Sequence, residues 1–324
     1  MTARGRRVLD TFARWQEASI LIVALLLIAW FENANHDFLL TSASLENLSQ
    51  FVAPVAIIAC GEIMLMIGGE IDLSAGMVFA LAPFVMYFAH DAGIPLVPAL
   101  LLGIAAAGAV GMANGVITLL LGIPSFVTTL GTLFLVNGLN LTISHGTPVT
   151  PPGSAGFAQV MGAWGYSEIL WTLLVAVVLH IVLRHTRWGL HTIASGANET
   201  GAREAGIRVK RIKIGNFIVV GVLSGFTGCL EAFRIGSIDP QAGGNQIMFL
   251  AIAAGVIGGT PLAGGSGTII GGLIGALVLG VLNDGFTLIG INAFLFNIIL
   301  GAAILVAMLF NIHITRLTRQ GIRQ

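Results

Sequence analysis

Charge is scarce in this 324-residue chain: Asp, Glu, Lys and Arg make up 9% of it, whereas a soluble domain carries roughly 25%. With 56% hydrophobic residues and a mean hydropathy of +0.93, that scarcity excludes a soluble globular fold and points to a bilayer. Cysteine is nearly absent. Cys60 and Cys229 each sit in an apolar run, so no disulfide framework is expected and both read as packing residues. Lysine is equally rare: Lys210 and Lys213 follow Val209 and Ile212. A Walker A phosphate loop ends in Gly-Lys, so the chain does not hydrolyse ATP by that route. H-E-x-x-H, paired C-x-x-C and G-x-S-x-G are also missing. Gly264-Gly265-Ser266-Gly267 matches the shorter G-x-S-G of intramembrane serine proteases. That chemistry needs a histidine within reach of the serine, and only His180 lies well inside an apolar run. Neither an enzyme, a metal centre nor a nucleic-acid surface is expected.

The few bases are clustered. Fourteen of the fifteen Lys and Arg residues fall at Arg4–Arg14, Arg184–Lys213 and Arg316–Arg323, and Arg234 alone lies elsewhere. Cytoplasmic segments of membrane proteins collect such residues. Apolar runs at 18–34, 51–67, 76–90, 97–120, 125–143, 168–183, 214–233, 247–259, 268–284 and 293–311 predict an all-α bundle of about ten transmembrane helices. An even number of runs separates each pair of basic clusters, which puts both termini in the cytoplasm. The expected organisation is a cytoplasmic tail at 1–17, one membrane domain at 18–311 with a cytoplasmic loop at 184–213, and a second tail at 312–324. Arg4, Arg6 and Arg7 before Ala18–Phe31 resemble a signal peptide. No small-x-small cleavage site follows, so an uncleaved first span is the reading.

Two glycine-rich breaks interrupt the apolar pattern, Gly68–Gly76 and Gly258–Gly267. Irregular backbone at membrane depth survives only beside protein or a wet cavity, so these are either short cytoplasmic turns or re-entrant breaks. Paired breaks in two halves also hint at a duplication of the kind that flanks transporter substrate paths. Ala107-x3-Gly111-x3-Gly115 and Gly267-x3-Gly271-x3-Gly275 are ladders for close helix packing. The segment His145–Ser167, with three prolines and five glycines, reads as an extended outer loop.

Acids inside apolar runs are costly and therefore functional candidates. They are Glu62, Glu231 and Asp284, with Glu70 and Asp72 in the first break, and no base lies deep enough to pair with most of them. Asn114, Thr128, Thr129, Asn137 and Asn140 add neutral hydrogen-bonding groups. A wet pathway for an uncharged polyhydroxy solute is the reading; a proton relay through Glu62, Glu231 or Asp284, hence a proton-coupled carrier, is the alternative. In the basic loop, Asn198 is a good N-cap, Glu199 complements the helix dipole and Gly206 supplies a left-handed stop. The result is a two-turn helix at 199–205, with small faces at Ala202 and Ala205 and charges at Arg203 and Glu204. So short a helix needs a packing partner, and docking on another protein is expected.

At these residues the chain resembles the permease subunit of ATP-binding-cassette importers for ribose, xylose and related monosaccharides. Gly68–Gly76 is similar to the family's G-G-x-D-L-S-x-G, Gly122–Thr132 to I-P-x-F-I-x-T-L-G-T, Ser195–Ile207 to its coupling segment, and Ala251–Gly267 to A-I-A-A-x-x-I-G-G-T-x-L-x-G-G-x-G. The likeness covers about residues 50–310. Asn283-Asp284-Gly285 and Arg203-Glu204-Ala205-Gly206 depart from the family pattern. The resemblance implies a multi-pass inner-membrane subunit working by alternating access. Its partners would be a second permease subunit, cytoplasmic ATPase subunits that use the ATP, and an extracytoplasmic solute-binding protein. No cofactor would be bound by this chain. It also brings Gly196 and Ile207 into the coupling set and Ser74 into the pathway set.

Overall fold

The computed structural model describes residues 16–34 and 41–290, with a few positions between 295 and 305. The predicted tenth span and both tails therefore lie outside the described residues, apart from those positions and the first residues of α1. Among the described residues the fold is helical throughout, and its only β feature is an isolated bridge between Val149 and Ile238.

The helices are α1 (Gln16–Ala34), α2 (Ser42–Ile67), α3 (Ala75–Asp91), α4 (Leu96–Leu121), α5 (Ser125–Ser144), α6 (Ala155–Ala158), α7 (Ser167–His185), α8 (Arg187–Ala197), α9 (Glu199–Glu204), α10 (Val209–Ile235), α11 (Gly244–Ile257) and α12 (Ile269–Leu288). Seven of them, α1, α2, α4, α5, α7, α10 and α12, are long and apolar enough to cross a membrane. The shorter α3 and α11 are also apolar.

A helix that is apolar all round is buried, and α2 is the case here. Every side chain from Val52 to Ile67 is buried, and α7, α8, α10, α11 and α12 pack around it. The ladder in α4 lies on α10, where a side chain at Gly111 would strike the Phe217 carbonyl. The ladder in α12 lies on α11, where one at Gly275 would strike the Ala254 carbonyl. Small residues thus set both close approaches, as the sequence predicts. The outward faces of α4, α5 and α7 expose large apolar groups such as Leu121, Leu135, Phe134 and Val177.

Two expectations need correction. The basic loop holds α8 as well as the expected short helix, because Thr186 caps it by accepting from the Gly189 N–H. Trp188 then anchors it by donating to Asn216 Oδ1 at 2.9 Å. The segment His145–Ser167 is not extended throughout: α6 runs into a π-helical turn at Gln159–Ala163, held by a bond from Trp171 Nε1 to the Val160 carbonyl.

Candidate functional site

The polar segments gather at the two ends of the bundle. At one end stand the break after α2, the α4–α5 turn, α8–α9 and the break after α11. The Ile67 carbonyl, at the end of α2, accepts from the Gly265 N–H at 2.8 Å. Gly196 lies so close to that same carbonyl that any Cβ there would overlap it. The Ile71 N–H points at Ser125 Oγ, 3.4 Å away. One backbone atom therefore carries both glycine breaks and the last turn of α8, just ahead of α9.

The α9 helix forms as its sequence dictates. Asn198 Oδ1 accepts from the Gly201 N–H at 3.0 Å. Gly206 has φ +83, and the Ile207 N–H reaches back to the Ala202 carbonyl at 2.9 Å while the Gly206 N–H reaches Arg203. That is a Schellman closure, which only a residue comfortable at positive φ completes without strain. Ala202 is buried, while Arg203, Glu204 and Gly206 are exposed. Glu199 pairs with Arg203 and, at 3.1 Å, with Lys213 Nζ. Partial burial would raise the Glu199 carboxyl, but the two cations outweigh it and hold it below the usual carboxylate range.

Lys213 also reaches Glu70 at 2.8 Å. Glu70 thus belongs to this end and is one of the candidate acids that does meet a base. From the same break, Asp72 and Ser74 turn inward. Asp72 Oδ1 accepts from the Ser74 N–H at 2.8 Å and from Ser74 Oγ at 2.6 Å, holding the start of α3. Asn114 Nδ2 donates to Asp72 Oδ2 at 3.2 Å and to Ser74 Oγ at 2.9 Å, and Asn114 Oδ1 accepts from Thr132 at 2.6 Å. Glu62 lies against this network: its Oε2 is 3.4 Å from the Asp72 N–H, and its Oε1 is buried without a hydrogen-bond partner. Glu62, Asp72, Ser74 and Asn114 are brought together, all buried.

The remaining pathway candidates are scattered. Thr129 is spent on the Ser125 carbonyl. Thr128 Oγ1 and Asn137 Oδ1 are buried without a hydrogen-bond partner. Asn140 donates to the Met77 carbonyl at 3.0 Å. Among the described residues Asp284 accepts only from its neighbour Asn283, at 3.3 Å.

Glu231 stands at the opposite end and is the other candidate acid that meets a base. Arg234 holds it through Nε at 2.8 Å and reaches Gln50 at 3.2 Å and buried Glu168 at 3.5 Å. Sequence reasoning set Arg234 aside as the one base outside the clusters and missed this junction of α2, α7 and α10. Its isolation, three residues after Glu231, was the available signal. Glu231 also lines a cavity of about 240 Å³ with Phe79, Ser237, Asp239 and Gly243. Lys213 and Asn216 were likewise missed as anchors; Asn216 donates to the Met64 carbonyl at 3.0 Å.

A family profile described as "Branched-chain amino acid transport system / permease component" matches residues 44–308. The chain belongs to this permease family. Among curated relatives, the xylose/arabinose import permease of Sulfolobus acidocaldarius is 35% identical over 322 residues, covering 95% of this chain and 88% of the relative. The ribose import permease of Escherichia coli K12 is 35% identical over 315 residues, covering 95% and 97%. The D-allose transport system permease of the same organism is 28% identical over 298 residues, covering 91% of each. No solved structure matches. This permease is accordingly a multi-pass inner-membrane transport subunit, not itself an enzyme.

Proposed function

We propose that this permease imports a monosaccharide or similar small polyhydroxy solute by alternating access, driven by a separate ATPase that docks on α8–α9. The observation that carries this reading is the seating of α9: a capped helix with charged groups outward, joined through Gly196 and Lys213 to the break after α2. A topology-marking loop needs neither the caps nor the seat. The relatives named for xylose/arabinose, ribose and allose import support the solute class. In this reading the basic end and both termini face the cytoplasm, about ten helices span the bilayer, two permease subunits pair, and a binding protein delivers solute at the Arg234 end. ATP is used by the partner, with no cofactor on this chain. Gly196, Asn198, Glu199, Arg203, Glu204, Gly206 and Ile207 form the coupling surface. The network around Asp72 fixes the break beside the pathway, and Thr128, Thr129, Asn137, Glu231 and Asp284 belong to the solute route.

The test is uptake of radiolabelled D-xylose, D-ribose and D-allose by proteoliposomes holding the permease, its ATPase subunit and its binding protein. Uptake of at least one sugar that requires ATP and persists when the proton gradient is collapsed is the expected result. Uptake that ignores ATP and collapses with the gradient would establish the proton-coupled carrier instead. Charge reversal at Arg203 or Glu204 is expected to lower uptake per ATP hydrolysed while leaving membrane insertion intact.

A further inference from the structure

We propose that Lys213 is the positioning residue through which α9 moves the break after α2, a claim that rests on the ATPase-docking reading above. Lys213 stands in the second turn of α10 with its side chain 7% exposed. Lysine is rarely buried unless paired, and this one has two carboxylates from two different elements. Glu70, in the break, lies at 2.8 Å and Glu199, in α9, at 3.1 Å. Among the described residues neither acid has any other cation within ion-pair distance except Arg203, which holds Glu199 on the exposed face of α9.

The result is one continuous polar chain from the surface into the bundle. It runs Arg203, Glu199, Lys213, Glu70, then two residues along the backbone to Asp72, and from there to Asn114 and Thr132. Its outer members are accessible: the Arg203 and Glu199 side chains are 57% and 40% exposed. Its inner members hold the first turn of α3 to the middle of α4 and α5. A partner that pushes on α9 therefore pulls on a charge that is tied to the helix start.

Lysine suits this role. Its ammonium is a compact charge with three donors on a flexible four-carbon stem, so it can keep one carboxylate while yielding the other as α9 shifts. The backbone contacts at Ile67 have no such reach. The Gly265 bond and the Gly196 contact both end on one carbonyl, so they fix the resting position without following a displaced α9. A two-position link between a docked element and a distant one is what coupling between sites requires.

The experiment uses the full complex in proteoliposomes with radiolabelled D-xylose, D-ribose and D-allose, comparing wild type, Lys213→Met, Lys213→Arg, Glu70→Gln and the Lys213→Met/Glu70→Gln double variant. Two quantities are read: co-purification of the ATPase subunit, and solute imported per ATP hydrolysed. Lys213→Met is expected to lower the import ratio by about tenfold while the ATPase still co-purifies. Lys213→Arg is expected to recover most of the ratio, and the double variant to be no worse than Lys213→Met, because both changes cut the same link. A Lys213→Met complex with the wild-type ratio overturns the proposal, as does a double variant whose losses simply multiply. If Lys213→Met fails to assemble, Glu70→Gln decides by the same ratio, since it leaves Lys213 paired with Glu199. A wild-type complex that imports none of the three sugars at the expense of ATP overturns the ATPase-docking reading, and the link with it.

Discussion

Asn114 makes four contacts with one side chain: both carboxylate oxygens of Asp72, Ser74 Oγ and, as acceptor, Thr132. Replacing it with leucine leaves these buried groups short of partners, and each buried group so stranded costs about 1–3 kcal/mol. The Asn114→Leu permease is expected to unfold at lower temperature in detergent. Cys60 and Cys229 supply the measurement, because both thiols are free and buried and react with a thiol-sensitive dye only on unfolding. An unchanged midpoint would show that the Asp72 network is not structural. The sequence marked Glu62 and Asn114 through their place in apolar runs and Asp72 through its place in the first break. That they share one network was not legible, because residues 62, 72 and 114 meet only when α2, α3 and α4 pack. At Gly196 the reverse holds. Its place in a motif was visible, but its reason, the Ile67 carbonyl filling the space of a side chain, was not.

At the scale of elements, α9 and α10 bear the consequences. The α9 caps were readable because capping is local: Asn198 and Gly206 act within four residues of themselves. Asn198→Ala is expected to cost about 1 kcal/mol of local stability, seen as faster amide exchange across 199–207 with the membrane helices unaffected. Glu199 adds a pH dependence. Its carboxyl is held below the usual range, so the stabilisation from its ion pairs is complete above the ordinary carboxylate pKa and is lost as pH falls through the lowered folded value. Amide protection of α9 is therefore expected to decline on acidification, and Glu199→Gln to abolish that decline. On α10, Arg234→Met would leave the partly buried Glu231 without its cation. Removing one partner of such a pair is expected to cost up to about 3 kcal/mol, and Glu231→Gln in the same background to recover part of it in the thiol-dye assay. The helix α8 was hidden because its stability depends on Trp188 reaching Asn216, 28 residues away.

For the whole molecule, the separation of its polar segments into two ends is the property that matters. Lys213 and Arg234 lie near the two ends of α10, 21 residues apart, or about 31 Å along a helix, close to the roughly 30 Å of a bilayer core. Single cysteines at exposed Ser266 and exposed Asp239 are expected to label from opposite sides of the membrane, Ser266→Cys from the cytoplasm. Labelling of both from one side would overturn the topology. The buried native cysteines should stay silent in this assay.

Composition and the placement of bases determined by themselves that this chain is a helical membrane protein, because the bilayer imposes a strong and local rule: apolar runs of sufficient length, with positive charge at one side. The short caps and small-residue ladders were likewise decided within a few residues of chain. Tertiary structure alone decided which charges meet. The Glu70–Lys213 and Glu168–Arg234 pairs join residues 143 and 66 positions apart, and no spacing rule reaches that far. It also decided that both glycine breaks and the end of α8 converge on the Ile67 carbonyl, since only the packing around α2 brings three distant segments to one atom.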